Sequence, residues 1–224
     1  MPRQLSLDET AAPLVPERPS LKKLREAAAG CTACPLHETG TQTVFGEGAT
    51  KARVVFVGEQ PGDQEDQQGK PFVGPAGKLL DKALEDAGID RSAVYVTNVV
   101  KHFKWQARGK RRIHQKPNWS EIAACRPWLD AEFAVLAPEI VVCLGATAAK
   151  ALISPSFRIT KDRGQLIPWS LHGTVEDDEE EAPHQTWMLA TTHPSAVLRT
   201  PDESRGAAYD ALVADLRVVA GALA

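Results

Sequence analysis

Four short apolar runs constrain this chain more than any other feature: RVVFV at 53–57, AVYVT at 93–97, IVVCL at 140–144 and TWMLA at 186–190. Each has the length and β-branched content of a strand, and each is followed by a loop of Gly, Pro or polar residues. Between and after them the pattern turns helical, near 76–87 (closed by Gly88), 120–136, 146–153 and 203–221. An earlier helix over 21–29 starts at a Ser20 cap and ends at Gly30. Strands alternating with helices require right-handed crossovers and a parallel sheet covered on both faces. The expected fold is therefore α/β, a three-layer α/β/α sandwich around a mostly parallel four-stranded sheet. In such sheets ligands bind beyond the carboxyl ends of the strands. The informative loops are then 58–75, 98–118 and 191–199.

At 224 residues one domain is expected, spanning 20–224, behind a Pro-rich flexible tail over 1–19. No stretch of apolar residues is long enough to span a bilayer; Ala134 to Ile153 is broken by Pro138, Glu139 and Lys150. The first residues lack the apolar core of a secretory signal, so a cytoplasmic, monomeric protein is expected. Charge is unevenly spread. The net charge is −3, but residues 176–181 read EDDEEE, and without those six acids it is +3. Residues 101–116, KHFKWQARGKRRIHQK, hold seven Lys or Arg and no acid, with Phe103 and Trp105 interleaved. That loop suits contact with phosphates, although it also suits a mobile basic loop without a role.

The three loops carry the chemistry. The first, GEQPGDQEDQQGKPFVGPAG, opens on Gly58, Glu59, Gln60, Pro61 and Gly62 and continues to Phe72. Its glycines allow a ligand to approach the backbone, and its spacing matches neither a Rossmann nor a Walker fingerprint. The second begins at Asn98, whose amide can read a donor/acceptor edge. The third is Thr192-His193-Pro194-Ser195, followed by Leu198 and Arg199. Singly, Asn98 suits a turn, His193 a helix cap and Phe72 the core. Together they describe a pocket for a flat polar ring.

GEQPG, PFVGPAG, TNVVK and HPSAVLR resemble, in this order, the motifs of the uracil-DNA glycosylase superfamily, in its iron–sulfur branch of families 4 and 5. The resemblance runs from about residue 25 to the end. The basic insertion with KRRIH is similar to that of a narrower subgroup, the UdgX type, whose members excise uracil and become covalently attached to the DNA through the histidine of that loop. The resemblance implies uracil-containing DNA, single- or double-stranded, as partner. It implies that Phe72 stacks on the flipped base, Asn98 reads its pairing edge, and Gln60 and Gly62 line it. His193 would stabilise the departing uracil anion, while Leu198 and Arg199 fill the gap in the duplex and hold the flanking phosphates. His114, in RRIHQ, would trap the sugar cation, kept neutral by the like charge of Lys110, Arg111 and Arg112. Those three residues would also contact DNA. Glu59 would accept a hydrogen bond from the other ring nitrogen and orient the attack.

Cys31 and Cys34 form a C-x2-C motif, with Cys125 and Cys143 far downstream. Zinc is the default reading of such a pattern in a cytosolic chain. The resemblance replaces zinc with a 4Fe-4S cluster held by Cys31, Cys34, Cys125 and a fourth ligand. Where family 4 carries a cysteine after the Asn motif, this chain carries His102, in VVKH. His102 is the favoured fourth ligand and Cys143 its rival, the latter reading as strand core. A cluster fixed at His102 and Cys125 would anchor the basic loop in front of the pocket. The competing functions are a turnover family 4 glycosylase, a module that binds damaged DNA without cutting it, and an iron–sulfur electron carrier that would leave the pocket motifs without purpose.

Overall fold

The computed structural model describes residues 6, 9–169 and 185–224; the acidic run at 176–181 lies outside them. In chain order the elements are α1 (Leu21–Ala28), α2 (Leu36–Thr39), β1 (Glu47–Gly48), β2 (Val54–Gly58), α3 (Asp63–Gln68), α4 (Pro75–Ala87), β3 (Tyr95–Asn98), β4 (Trp105–Arg108), β5 (Arg111–His114), α5 (Trp119–Leu136), β6 (Ile140–Leu144), α6 (Ala146–Leu152), α7 (Ile159–Asp162), β7 (Ile167–Trp169), β8 (Thr186–Thr191), α8 (Pro194–Arg199) and α9 (Asp202–Leu223). The main sheet has the order β1-β3-β2-β6-β8-β7. Its parallel centre is the four strands expected, β3, β2, β6 and β8. Two short antiparallel strands, β1 and β7, extend it to six. Neither has the long apolar run of a central strand; both are edge strands, recruited by the free hydrogen-bonding edges of β3 and β8.

Successive residues of β2 feed opposite layers, as strand geometry requires. Val55 and Val57 join Leu24, Trp128 and Phe133 beneath α1 and α5, while Val54 and Phe56 join Leu80, Leu84, Leu212 and Leu216 beneath α4 and α9. Helix ends follow local chemistry. The Ser20 hydroxyl accepts from the Lys23 amide, Gly88 closes α4 in the left-handed region, and Asn118 and Glu121 form a reciprocal capping box at the start of α5. In the segment read as a tail, Ala11 is buried and its amide donates to the Ala124 carbonyl at 2.8 Å. Among the described residues no helix is long and apolar enough to cross a membrane.

The basic stretch read as a loop is a β-hairpin, β4 pairing with β5 from Trp105↔His114 to Arg108↔Arg111. Its sequence alternates poorly because neither face enters the main core; it docks sideways on the 58–75 segment. That segment in turn contains the short helix α3, absent from the sequence reading because DQEDQQ has no apolar stripe.

Candidate functional site

The carboxyl ends of β2, β3, β6 and β8 lie at one edge of the sheet and frame a cleft of about 640 Å³. Glu59, Gln60, Gly62, Phe72, Asn98, His114, His193 and Arg199, all proposed from sequence, line it together with Glu65, Gly145 and Thr147.

Asn98 closes β3 opposite Gly58 of β2 and is buried. Gly58 is required by proximity: a Cβ there would stand 2.3 Å from Asn98 Oδ1 and 2.9 Å from Phe72 Cζ. Phe72 has a positive φ of 56°, a conformation that costs a non-glycine residue energy and persists only where its surroundings impose it. Gly77 makes room for it, since any side chain at 77 would meet the Phe72 carbonyl at 1.7 Å. The Phe72 ring lies at 28° to that of His193, with centroids 6.2 Å apart.

His193 is both the helix cap of the bland reading and a cleft residue. As N-cap of α8 its Nδ1 accepts the Ser195 amide at 3.1 Å. An accepting Nδ1 leaves the proton of the neutral ring on Nε2, where it can serve as a donor. Burial, helped by the charges of Arg199 and His114, lowers its pKa to about 4, so the ring is neutral near pH 7.

His114 stands at the end of β5, half-exposed, with Nε2 3.5 Å from Glu59 Oε1. Its pKa is lowered, first by burial, then by Arg199, with Glu59 opposing. The expected cause, the neighbouring Lys110, Arg111 and Arg112, is therefore corrected: the hairpin sends those side chains elsewhere. Arg112 is turned inward onto α3, bonding Asp63 Oδ1 at 2.5 Å and the buried Asp66 Oδ2 at 2.6 Å. Its guanidinium also lies 5.4 Å from the Phe103 ring centroid and 5.5 Å from that of Trp105. It is thus a pin for the hairpin rather than a free phosphate contact. Lys110 and Arg111 stay exposed at the hairpin turn, and Leu198 is exposed on α8. Lys101, counted with the basic loop, is buried beneath Asn98, its ammonium on Glu132 Oε2 at 2.5 Å and on the Asn98 carbonyl at 2.9 Å.

Gln60 has a different employment from the one expected. Its Oε1 accepts the Lys104 amide at 3.0 Å, and its Nε2 donates to the carbonyls of Lys104 at 3.2 Å and Gln115 at 2.9 Å, clamping both feet of the hairpin. That Nε2 also lies 2.8 Å from His114 Nε2. An amide nitrogen cannot accept, so His114 Nε2 is the acceptor in that contact, and a proton on it requires the ring to leave Gln60 and turn to Glu59 Oε1, 3.5 Å away. Residues that sequence reasoning missed are Glu65, whose Oε1 accepts the Gly74 amide at 2.8 Å, and Thr147, whose hydroxyl donates to Glu59 Oε2. Glu65 sat within the quoted first motif and could have been weighed there. Thr147 carried no signal.

Cys31, Cys34 and Cys125 are all buried. The thiols of Cys34 and Cys125 are raised by burial, that of Cys125 to about 12, with Cys31 in electrostatic reach of both and Cys34 of Cys125. N–H groups already point at two of the sulfurs: Trp128 Nε1 at Cys31 and the Lys101 amide at Cys125, both at 3.3 Å. Hydrogen bonds onto thiolate sulfur are what a metal-bound cysteine needs around it. Among the described residues no three His, Cys, Asp or Glu side chains are drawn into a ligating group. His102 is buried, with Nε2 3.0 Å from the Thr43 hydroxyl and its pKa lowered to about 4 by burial and by His37. Cys143 is fully buried in β6, raised by burial to about 12, with Arg126 as its charged neighbour. The donor set of three thiols and one neutral imidazole suits iron in kind.

At the strand ends of this α/β protein an aromatic ring, an amide and a neutral histidine share one cleft. The family model of the uracil DNA glycosylase superfamily matches residues 45–217, and the chain belongs to that superfamily. It is 38% identical over 181 residues to a type-4 uracil-DNA glycosylase of Pyrobaculum aerophilum, covering 81% of this chain and 86% of that protein. It is 41% identical over 170 residues to the type-4 enzyme of Thermotoga maritima, covering 75% and 78%. A DNA polymerase of Bacillus phage SP01 matches at 30% over 189 residues, which is 84% of this chain but 18% of the polymerase.

Proposed function

We propose that this protein is a uracil-DNA glycosylase that removes uracil from DNA and then bonds to the exposed sugar through His114, one turnover per chain. The observation that carries the reading is the convergence of Phe72, Asn98, neutral His193 and the His114–Glu59 pair on one cleft. Reaching the glycosidic bond requires uracil to leave the base stack. Phe72 would stack on the flipped ring and Asn98 would pair with its N–H and carbonyl, a pattern that cytosine's amino group frustrates. As the C1′–N1 bond breaks, its electron pair passes to the uracil ring. His193 Nε2–H donates to the carbonyl oxygen where that charge collects. The sugar is left cationic at C1′. The neutral His114 ring, one nitrogen facing Glu59, supplies the lone pair of the other, and its ring proton is held by the carboxylate. Lys110, Arg111, Leu198 and Arg199 would hold the DNA, and binding should weaken steeply as salt rises.

Cys31, Cys34, Cys125 and His102 are the residues that would hold a 4Fe-4S cluster. Its contribution would be structural, tying the segment after α1 to both ends of the hairpin region. We read the protein as a cytoplasmic monomer.

A turnover enzyme of the type-4 kind is the second reading, favoured by the names of the relatives and by the contact of Gln60 Nε2 with His114 Nε2. One gel separates the two. The protein is mixed with a labelled oligonucleotide carrying one uracil, boiled in SDS and run under denaturing conditions. A shifted band that needs uracil, and is lost in His114→Ala, is the expected result. Free oligonucleotide cleaved by alkali at the uracil position would mean turnover without capture, and an intact oligonucleotide would remove the glycosylase reading itself.

A further inference from the structure

Capture requires more than a histidine near the sugar; the carboxylate behind it must present one oxygen to the ring. Glu59 follows β2 directly, and its side chain is only partly enclosed, 21% exposed. Nothing in its own loop fixes the rotation of its carboxylate. The fixing group comes from the segment after β6, the strand paired with β2. Thr147, buried at the start of α6, donates its hydroxyl to Glu59 Oε2, which leaves Oε1 facing His114 Nε2. The turn that carries Thr147 also supports the other histidine. Gly145 adopts a φ of +91°, and a Cβ there would stand 3.0 Å from His193 Cβ. One three-residue turn after β6 therefore touches both reaction partners: it packs against His193 and bonds Glu59.

We propose that Thr147 is a positioning residue for capture, holding the Glu59 carboxylate so that one oxygen is always directed at His114. This rests on the capture reading and extends it to a group that makes no contact with the histidine. A hydroxyl serves this role better than a charged donor. It gives one proton to one carboxylate oxygen and leaves the negative charge intact for the imidazole. Without it, Glu59 can swing away from His114, for instance toward Arg199 across the cleft, and the imidazole loses its oriented acceptor.

The test compares Thr147→Val, which keeps the β-branched shape and removes the hydroxyl, with Thr147→Ser, which keeps the hydroxyl. Two rates are read on the full protein in single-turnover mixing with uracil-containing oligonucleotide: release of free uracil and growth of the SDS-stable adduct. In Thr147→Val the ratio of capture to release should fall about tenfold, the effect of losing one oriented hydrogen bond, and Thr147→Ser should restore it. A wild-type adduct that forms equally fast in Thr147→Val, or that slows only in step with release, overturns the proposal while leaving capture standing. A wild type that forms no adduct overturns capture instead, and a second measurement then decides Thr147 independently. The titratable and charged groups facing the His114 ring are Glu59, Arg199 and His193, and of these only Glu59 favours its charged form. NMR titration of His114, assigned by difference with His114→Ala, should show its pKa falling further in Thr147→Val and recovering in Thr147→Ser. An unmoved titration means that Thr147 does not position Glu59.

Discussion

Two histidines face this cleft from opposite supports, and the difference between them is instructive. His193 sits on the rigid side. Its Nδ1 is occupied by the first turn of α8, its ring lies against Phe72, and burial keeps it neutral. His114 sits at the end of a two-stranded excursion, half-exposed, held by Arg112 and Gln60 and facing Glu59. The first environment suits a fixed donor that must meet charge in one place. The second suits a group that, on the capture reading, moves to a sugar carbon and bonds to it. On that reading the same side chain is set to two tasks by what backs it: a strand end and a helix cap in one case, a pinned hairpin in the other.

The contrast can be broken one side at a time. His193→Ala should cost uracil release on the order of 100-fold or more, as loss of a preorganised donor does, measured as free uracil in single turnover. His114→Ala should leave release standing and abolish the adduct. Arg112→Ala removes the bonds to Asp63 and Asp66 and the stacking on Phe103 and Trp105. Adduct formation should then fall by up to about 100-fold, the scale of a misplaced reacting group, with release falling much less. Equal losses in the two rates would mean that the hairpin supports the whole cleft. Gly58→Ala forces a Cβ against Asn98 and Phe72. It should weaken substrate binding about tenfold through overpacking, seen in the concentration at which the single-turnover rate is half-maximal more than in its maximum.

The smallest effect is on stability against pH. The folded pKa of His193 is about 4, below its ordinary 6.5. Between those values the unfolded chain binds protons that the folded chain refuses. Stability should be full above pH 6.5 and decline as pH falls toward 4. Thermal melts over that range check the sign, and His193→Gln should flatten part of the slope. A wild-type Tm that is level or rises as pH falls through that window would contradict the depressed pKa of that ring.

Much of the fold was legible because its signals are local. The β-branched runs of β2, β3, β6 and β8, the cap at Ser20 and the stop at Gly88 depend on neighbours in sequence, and each element formed within a few residues of its expected place. The alternation of strands and helices then implied a parallel sheet, with the loops after the strands gathered at one edge; the order of the strands came from the structure. Glu59, Phe72, Asn98 and His193 met in the cleft because each follows or ends such a strand or lies in the loop beyond it.

What sequence left open was decided by long-range contacts. KHFKWQARGKRRIHQK reads as a charged loop because no residue in it announces Asp63 and Asp66, roughly 50 positions upstream, which turn Arg112 from a phosphate contact into a pin. Gln60 lines the cleft, but its side-chain amide is taken up by Lys104 and Gln115, both distant in sequence. Thr147 had no pattern at all, because its partner Glu59 lies 88 residues away. The chain by itself determined which residues end strands and hence which face the cleft, since backbone propensity and apolar patterning act over a few residues. Only the tertiary structure decided which of the charged and polar groups are free to meet a ligand. A side chain's availability depends on every partner that folding brings to it.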